Sequence, residues 1–158
     1  MQNLRTTLLS GLPRLMHVLW RFTRGLTLGV RAVVIGPDGR IFLVKHSYTD
    51  GWHLPGGGVE AGETLIAALA RELAEEGNIE LTDEPALHGI YFHPLYSQRD
   101  HVAVFVVRNF RQTASPIANS EIIDHGFFLP DALPADTTAG TRARIAEVIE
   151  GRSPAIRW

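Results

Sequence analysis

The 158-residue chain predicts an α+β fold, an α/β/α sandwich in which a mixed β-sheet is packed between helices. Three observations predict it. Apolar, β-branched segments recur between glycine- and proline-rich turns. Two helical patterns interrupt them without regular β-α-β alternation. No segment repeats, and the order of strands and helices argues for a mixed sheet with helices packed on it. A chain of this length buries roughly 70% of its unfolded surface around one core, which makes a single main domain the expectation. With 45% apolar and 20% charged residues and a net charge of −2, the composition is that of a soluble globular protein, with no general nucleic-acid footprint. The absence of cysteine excludes disulfides, thiolate nucleophiles and cysteine-ligated zinc.

Residues 1 to 37 carry Arg5, Arg14, Arg21, Arg24 and Arg31 and no acid, which leaves −7 on the remainder. Within this stretch Leu4, Leu8, Leu12, Leu15, Leu19 and Phe22 recur near helical spacing. Residues 1–25 therefore read as a basic amphipathic helical arm, packed on the domain at 26–158 or lying on an anionic membrane surface; packing is the favoured reading. A secretory signal fits poorly, because Pro13 and Arg14 interrupt the apolar run Thr6 to Leu12. No uncharged apolar run reaches the roughly 18 residues that a membrane span needs.

Next, Leu28 to Ile35 and Ile41 to Val44 flank Gly36-Pro37-Asp38-Gly39, strong turn chemistry that predicts a hairpin. A helix is expected from Leu65 to Gly77 with Thr64 as its N-cap. Strands follow near His88 to Phe92 and His101 to Val107, then a polar loop from Gln112 to Ser120 and a short strand from Gly126 to Leu129. A last helix, Thr141 to Glu150, ends at Gly151, well placed as a C-terminal cap.

The stretch Arg71 to Ile79, RELAEEGNI, sets three glutamates at one helix end. At 100° per residue Leu65, Leu69 and Leu73 form the apolar row, and Glu72 and Glu76 extend that row instead of lying on the solvated face. Desolvation, mutual repulsion and the negative end of the helix dipole all disfavour two anions there. A hard divalent cation with oxygen ligands, Mg²⁺ or Mn²⁺, answers all three. Upstream, Pro55-Gly56-Gly57-Gly58 can offer carbonyls to a metal or amides to a phosphate. No Gly-Lys-Ser/Thr follows, which excludes a P-loop, and the G-x-G-x-x-A match lacks the strand-turn-helix context of a dinucleotide site.

Together the two segments resemble the signature of the Nudix hydrolase (MutT-like) family. Gly57, Glu63, Arg71-Glu72-Leu73, Glu75-Glu76 and Ile79 stand at its fixed spacing. The single departure is Asn78, where the family has glycine; asparagine tolerates the left-handed conformation a helix end needs. The likeness covers roughly residues 26 to 150. It implies a phosphoanhydride hydrolase acting on a nucleoside diphosphate linked to a further group. Carried over by position, Glu72 and Glu76 would ligate the metal with the carbonyl of Gly56 or Gly57, and Glu75 would be a further ligand, through water. Arg71 would orient the carboxylates by pairing with Glu63. Glu121 would be the general base, with Glu75, His46 and His93 as alternatives.

Trp52, Tyr96 and Arg99 are candidate substrate-binding residues. Pro94 and Tyr96 both fall in the window that separates ADP-ribose from dinucleoside polyphosphate hydrolysis in this family, so the substrate stays open. The alternative is a non-catalytic nucleotide-binding module of the same fold, against which the intact glutamates count. The expected partner is a small nucleotide-type molecule, a homodimer and a weak membrane-surface contact through the arm being further options, and the expected location is cytoplasmic.

Overall fold

The computed structural model describes residues 25–158 other than 96 and 119. The basic arm, and with it the choice between packing and membrane contact, lies outside the described residues. Eight strands and two helices are described: β1 (Thr27–Val34), β2 (Ile41–His46), β3 (Trp52–His53), α1 (Leu65–Gly77), β4 (Ile79–Leu81), β5 (Ala86–Phe92), β6 (Asp100–Val107), β7 (Phe110–Gln112), β8 (Ile122–Phe128) and α2 (Ala139–Ile149). They form sheets of order β1-β6-β5, β3-β2-β8 and β4-β7.

β1 lies parallel to β6 while β5 is antiparallel to it, so the sheet is mixed, as expected. Side chains alternate across its faces. Val30, Ala32 and Val34 of β1 with Phe42 and Val44 of β2 face one core, which α1 closes with Ala68, Leu69 and Leu73. Val33, Ile35, Ile41 and Leu43 face a second core, which Ile145 of α2 closes. The strands read as near-continuous apolar runs because both faces are covered.

The expected hairpin is half right. Gly39 donates to the Gly36 carbonyl and Gly36 to the Arg40 carbonyl, so the turn forms, but β1 and β2 touch through one bridge, Ile35 to Ile41. Thereafter they part: β1 pairs with β6 over eight residues and β2 with β8. Burial of both faces rewards two sheets more than one two-stranded ribbon. Three strands of two or three residues, β3, β4 and β7, are shorter than any periodic signal.

α1 spans the predicted residues. The Thr64 hydroxyl accepts from the Ala67 amide at 3.1 Å, and Asn78 closes the helix in the left-handed conformation at φ 49°. Gly151 likewise takes φ +65° behind α2. No helix among the described residues is long and apolar enough to cross a membrane.

Candidate active site

The glycine loop is laid along β1. Val30 donates to the Gly57 carbonyl at 2.8 Å, Ala32 to the Pro55 carbonyl at 3.0 Å, and Val59 to the Leu28 carbonyl at 2.9 Å. Alternation then sends the other two carbonyls, Leu54 and Gly56, to the opposite side, where both accept from the Arg31 guanidinium. Of the two carbonyls offered by the sequence, that of Gly57 is committed to the sheet and that of Gly56 faces the site. Gly56 sits at φ +135° against the Val30 carbonyl, where no side chain fits. A Cβ on Gly57 would run into the Glu72 carboxylate, so Gly57 contributes space for Glu72.

On α1, Arg71 gathers the acids. Its Nε and Nη2 donate to the two Glu63 oxygens at 3.0 and 3.1 Å, its Nη1 to Glu72 Oε1 at 2.7 Å, and Nη2 also to the Gly58 carbonyl at 3.1 Å. The Arg71–Glu63 pairing is the one expected from the sequence. It holds the Glu63 carboxyl below its ordinary range, helped by the Glu60 amide. Glu75 stands apart, its side chain 61% exposed and 3.6 Å from Arg71 Nη1.

Glu76 is 8% exposed, and its Oε2 accepts from the Gly56 amide at 2.7 Å. Burial raises its carboxyl to about 7; Arg31 and the Gly56 amide act against the rise, while Glu72 and Glu121 add to it. His46 Nε2 lies 3.6 Å from Glu76 Oε1. Burial, then Arg31 and His53, push that imidazole down to about 4, so the pair never forms a salt bridge between cation and anion: His46 charges only below about 4, where Glu76 is neutral. Among the described residues neither ring nitrogen of His46 has a hydrogen-bond partner.

These groups line a cavity of about 1100 Å³, whose wall also holds Tyr48, His53, His93, Glu121 and Trp158. Of the proposed substrate contacts, Trp52 is 7% exposed and packs edge-on against Phe128 at 4.9 Å in the second core; its neighbour His53 reaches the cavity instead. Arg99 is exposed in the turn before β6, and the following Asp100 and His101 line the wall. Tyr96 lies outside the described residues. The sequence reading passed over Arg31, although its signal was visible: one arginine inside the β-branched run LGVRAVVI. Trp158 and Gly140 carried no local signal.

Among the described residues no three histidine or acidic side chains gather closely enough to hold a metal. Among the described residues Arg71 pairs with Glu72 and Arg31 acts on Glu76, and the two carboxylates repel one another. The donor set nevertheless fits a hard divalent ion: two carboxylates on one helix end, the Gly56 carbonyl lining the same cavity, where it now accepts from Arg31, and a buried imbalance marked by the raised Glu76.

The NUDIX domain model matches residues 25–148. The chain is 29% identical over 132 residues, 83% of its length and 82% of the relative's, to a MutT-like protein of Streptomyces ambofaciens. It is 40% identical over 63 residues to an RNA pyrophosphohydrolase of Halorhodospira halophila, a match that spans 40% of this chain and 35% of that one. Among solved structures, a MutT NUDIX hydrolase from Burkholderia pseudomallei superposes with a TM-score of 0.67 at 28% identity, over 77% of this chain and 97% of that one. With the loop, the capped helix and both cores inside the matched region, the chain belongs to the NUDIX domain family.

Proposed function

We propose that the protein is a divalent-metal-dependent hydrolase that cleaves a phosphoanhydride bond in a nucleoside diphosphate linked to another moiety. The observation that carries this is the buried Glu76, held on the Gly56 amide in the same cavity as Glu72. Its family supports the reaction class, and the oxygen donors suit Mg²⁺ or Mn²⁺.

Glu72, Glu76 and the Gly56 carbonyl would hold the ion, with Glu75 joining through water. Once bound, the ion neutralises phosphate charge and lowers the pKa of water. Arg71, fixed by Glu63, keeps Glu72 aimed at the loop. Glu121 takes the proton from the attacking water as its oxygen bonds to phosphorus; the anhydride P–O bond breaks and its electron pair leaves with the departing phosphate. Glu121 lines the same cavity and lies near enough to Glu76 to raise its pKa. Arg31, beside the loop, is a fixed positive charge for phosphate oxygens.

The test is a Mg²⁺-dependent phosphate-release screen over ADP-ribose, nucleotide sugars, dinucleoside polyphosphates, oxidised deoxynucleoside triphosphates and triphosphorylated RNA, run beside Glu76→Gln. Turnover of one class, reduced at least 100-fold in the variant, is expected. Nucleotide binding without turnover of any class would replace this function by that of a nucleotide-binding module.

A further inference from the structure

After α2 the chain runs back over β5, and this segment is fixed by an unusual amount of buried polar structure. Arg144 and Glu147 are 3% and 5% exposed and joined by two hydrogen bonds, Nε to Oε2 at 2.9 Å and Nη2 to Oε1 at 2.7 Å. Tyr91 donates to Glu147 Oε2 at 2.8 Å, and the Ala155 amide donates to Oε1 at 3.1 Å. Arg144 Nη1 reaches the Arg157 carbonyl at 3.1 Å. Phe92 donates to the Ile156 carbonyl and Trp158 donates to the Phe92 carbonyl, so the segment is held along the end of β5.

What the network positions is the Trp158 ring. Arg144 lies over it at 5.7 Å. Tyr91 and His93 meet it nearly perpendicularly, at 6.0 Å and 88° and at 5.4 Å and 83°. Gly140 is bare beneath it, since a Cβ there would collide with the indole nitrogen. Trp158, so fixed, lines the same cavity as Glu72 and Glu76. His93 and His53 are also on that wall, and burial, chiefly, lowers the pKa of both. Aromatic rings that share a cavity with carboxylates and with Arg31 suit a molecule that joins a flat heterocycle to phosphates.

We propose that Trp158, set by the Arg144–Glu147 network and by Gly140, is the surface on which the substrate's nucleobase stacks. This rests on the nucleotide-hydrolase reading. Stacking tolerates any base, because every base has a π-face, so Trp158 supplies affinity for the nucleoside and the phosphate end supplies the rest.

The test measures Mg²⁺-dependent binding of GDP, UDP and inorganic pyrophosphate by calorimetry. Trp158→Ala is expected to weaken GDP and UDP about ten-fold or more while leaving pyrophosphate within two-fold, and Trp158→Phe to restore nucleotide binding to within about three-fold. Gly140→Ala, which displaces the ring without removing it, is expected to repeat the loss. Unchanged nucleotide binding in Trp158→Ala would overturn the proposal, and so would a parallel loss of pyrophosphate, or a phenylalanine that rescues nothing. If the wild-type protein bound neither ligand, the hydrolase reading would fall first and this one with it; binding by wild type with no effect of Trp158→Ala would remove this one alone.

Discussion

At the scale of the residue, Glu76 decides how the protein responds to pH. An isolated glutamate titrates near 4.5 and Glu76 near 7, so the folded state holds a proton the unfolded chain has released. The stability this confers is complete below pH 4.5 and lost as pH rises to 7, about 3 kcal/mol in all. His46 runs the other way: with its pKa lowered to about 4, it destabilises the fold as pH falls below 6.5. The two slopes oppose each other in the wild-type curve, so the informative quantity is a difference. Without metal, Glu76→Gln is expected to match wild type near pH 4.5 and to exceed it by about 3 kcal/mol at pH 8, measured by urea unfolding. Mg²⁺ should narrow the gap by stabilising wild type alone. A gap independent of pH would mean that Glu76 is not desolvated as described. Arg31 belongs to the same balance, since it is the largest influence lowering Glu76. The sequence shows that it is out of place in an apolar run but not what it meets, because that depends on which carbonyls the loop turns outward, and only pairing with β1 determines that.

At the scale of the element, legibility followed locality. α1 was read to the residue because its apolar spacing, its Thr64 cap and its left-handed Asn78 all lie within fifteen consecutive positions. These caps are measurable. Thr64→Ala removes the acceptor for the Ala67 amide and is expected to cost about 1 kcal/mol. Asn78→Gly restores the residue type the family pattern has there; it relieves the left-handed strain and is expected to be neutral or stabilising by up to about 1 kcal/mol. Thermal unfolding of the two variants checks both signs, and a clearly destabilised Asn78→Gly would show that the asparagine side chain contributes more than its conformation. The β1–β2 hairpin was read from equally local evidence, its turn, and there locality misled. A turn fixes where the chain reverses but not which strand it then joins, and the partner of β1 is β6, some seventy residues on. The two-residue β3 had no pattern to read, yet it carries His53 to the cavity.

At the scale of the whole molecule, the alternation of two cores divides the labour. The face under α1 builds the carboxylate end, legible because its residues form a compact motif. The face under α2 carries the aromatic end, illegible because its parts, Tyr91, Gly140, Arg144, Glu147 and Trp158, are spread over sixty-eight positions and meet only where α2 packs beside β5. That face also holds the most buried ion pair described. Burial, the largest single influence, pushes the Glu147 carboxyl up, but Tyr91, Arg144 and the Ala155 amide together hold it below its ordinary range. It therefore stabilises the fold above pH 4.5, and this contribution is lost as pH falls through its lowered pKa. Glu147→Ala strands Arg144 without its counter-charge, which costs about 3–5 kcal/mol for a buried pair. For a chain of this size that is a fall in Tm of roughly 6–20 °C. Replacing both partners, Arg144→Met with Glu147→Leu, removes the stranded charge and should recover most of the loss. The double variant would still lack the hydrogen bonds to Ala155 and Arg157 that hold the Trp158 segment. Its melting temperature and its nucleotide affinity should therefore part company, the first largely restored and the second still weak. Recovery of both together would show that packing alone, without the ion pair, is enough to place the indole.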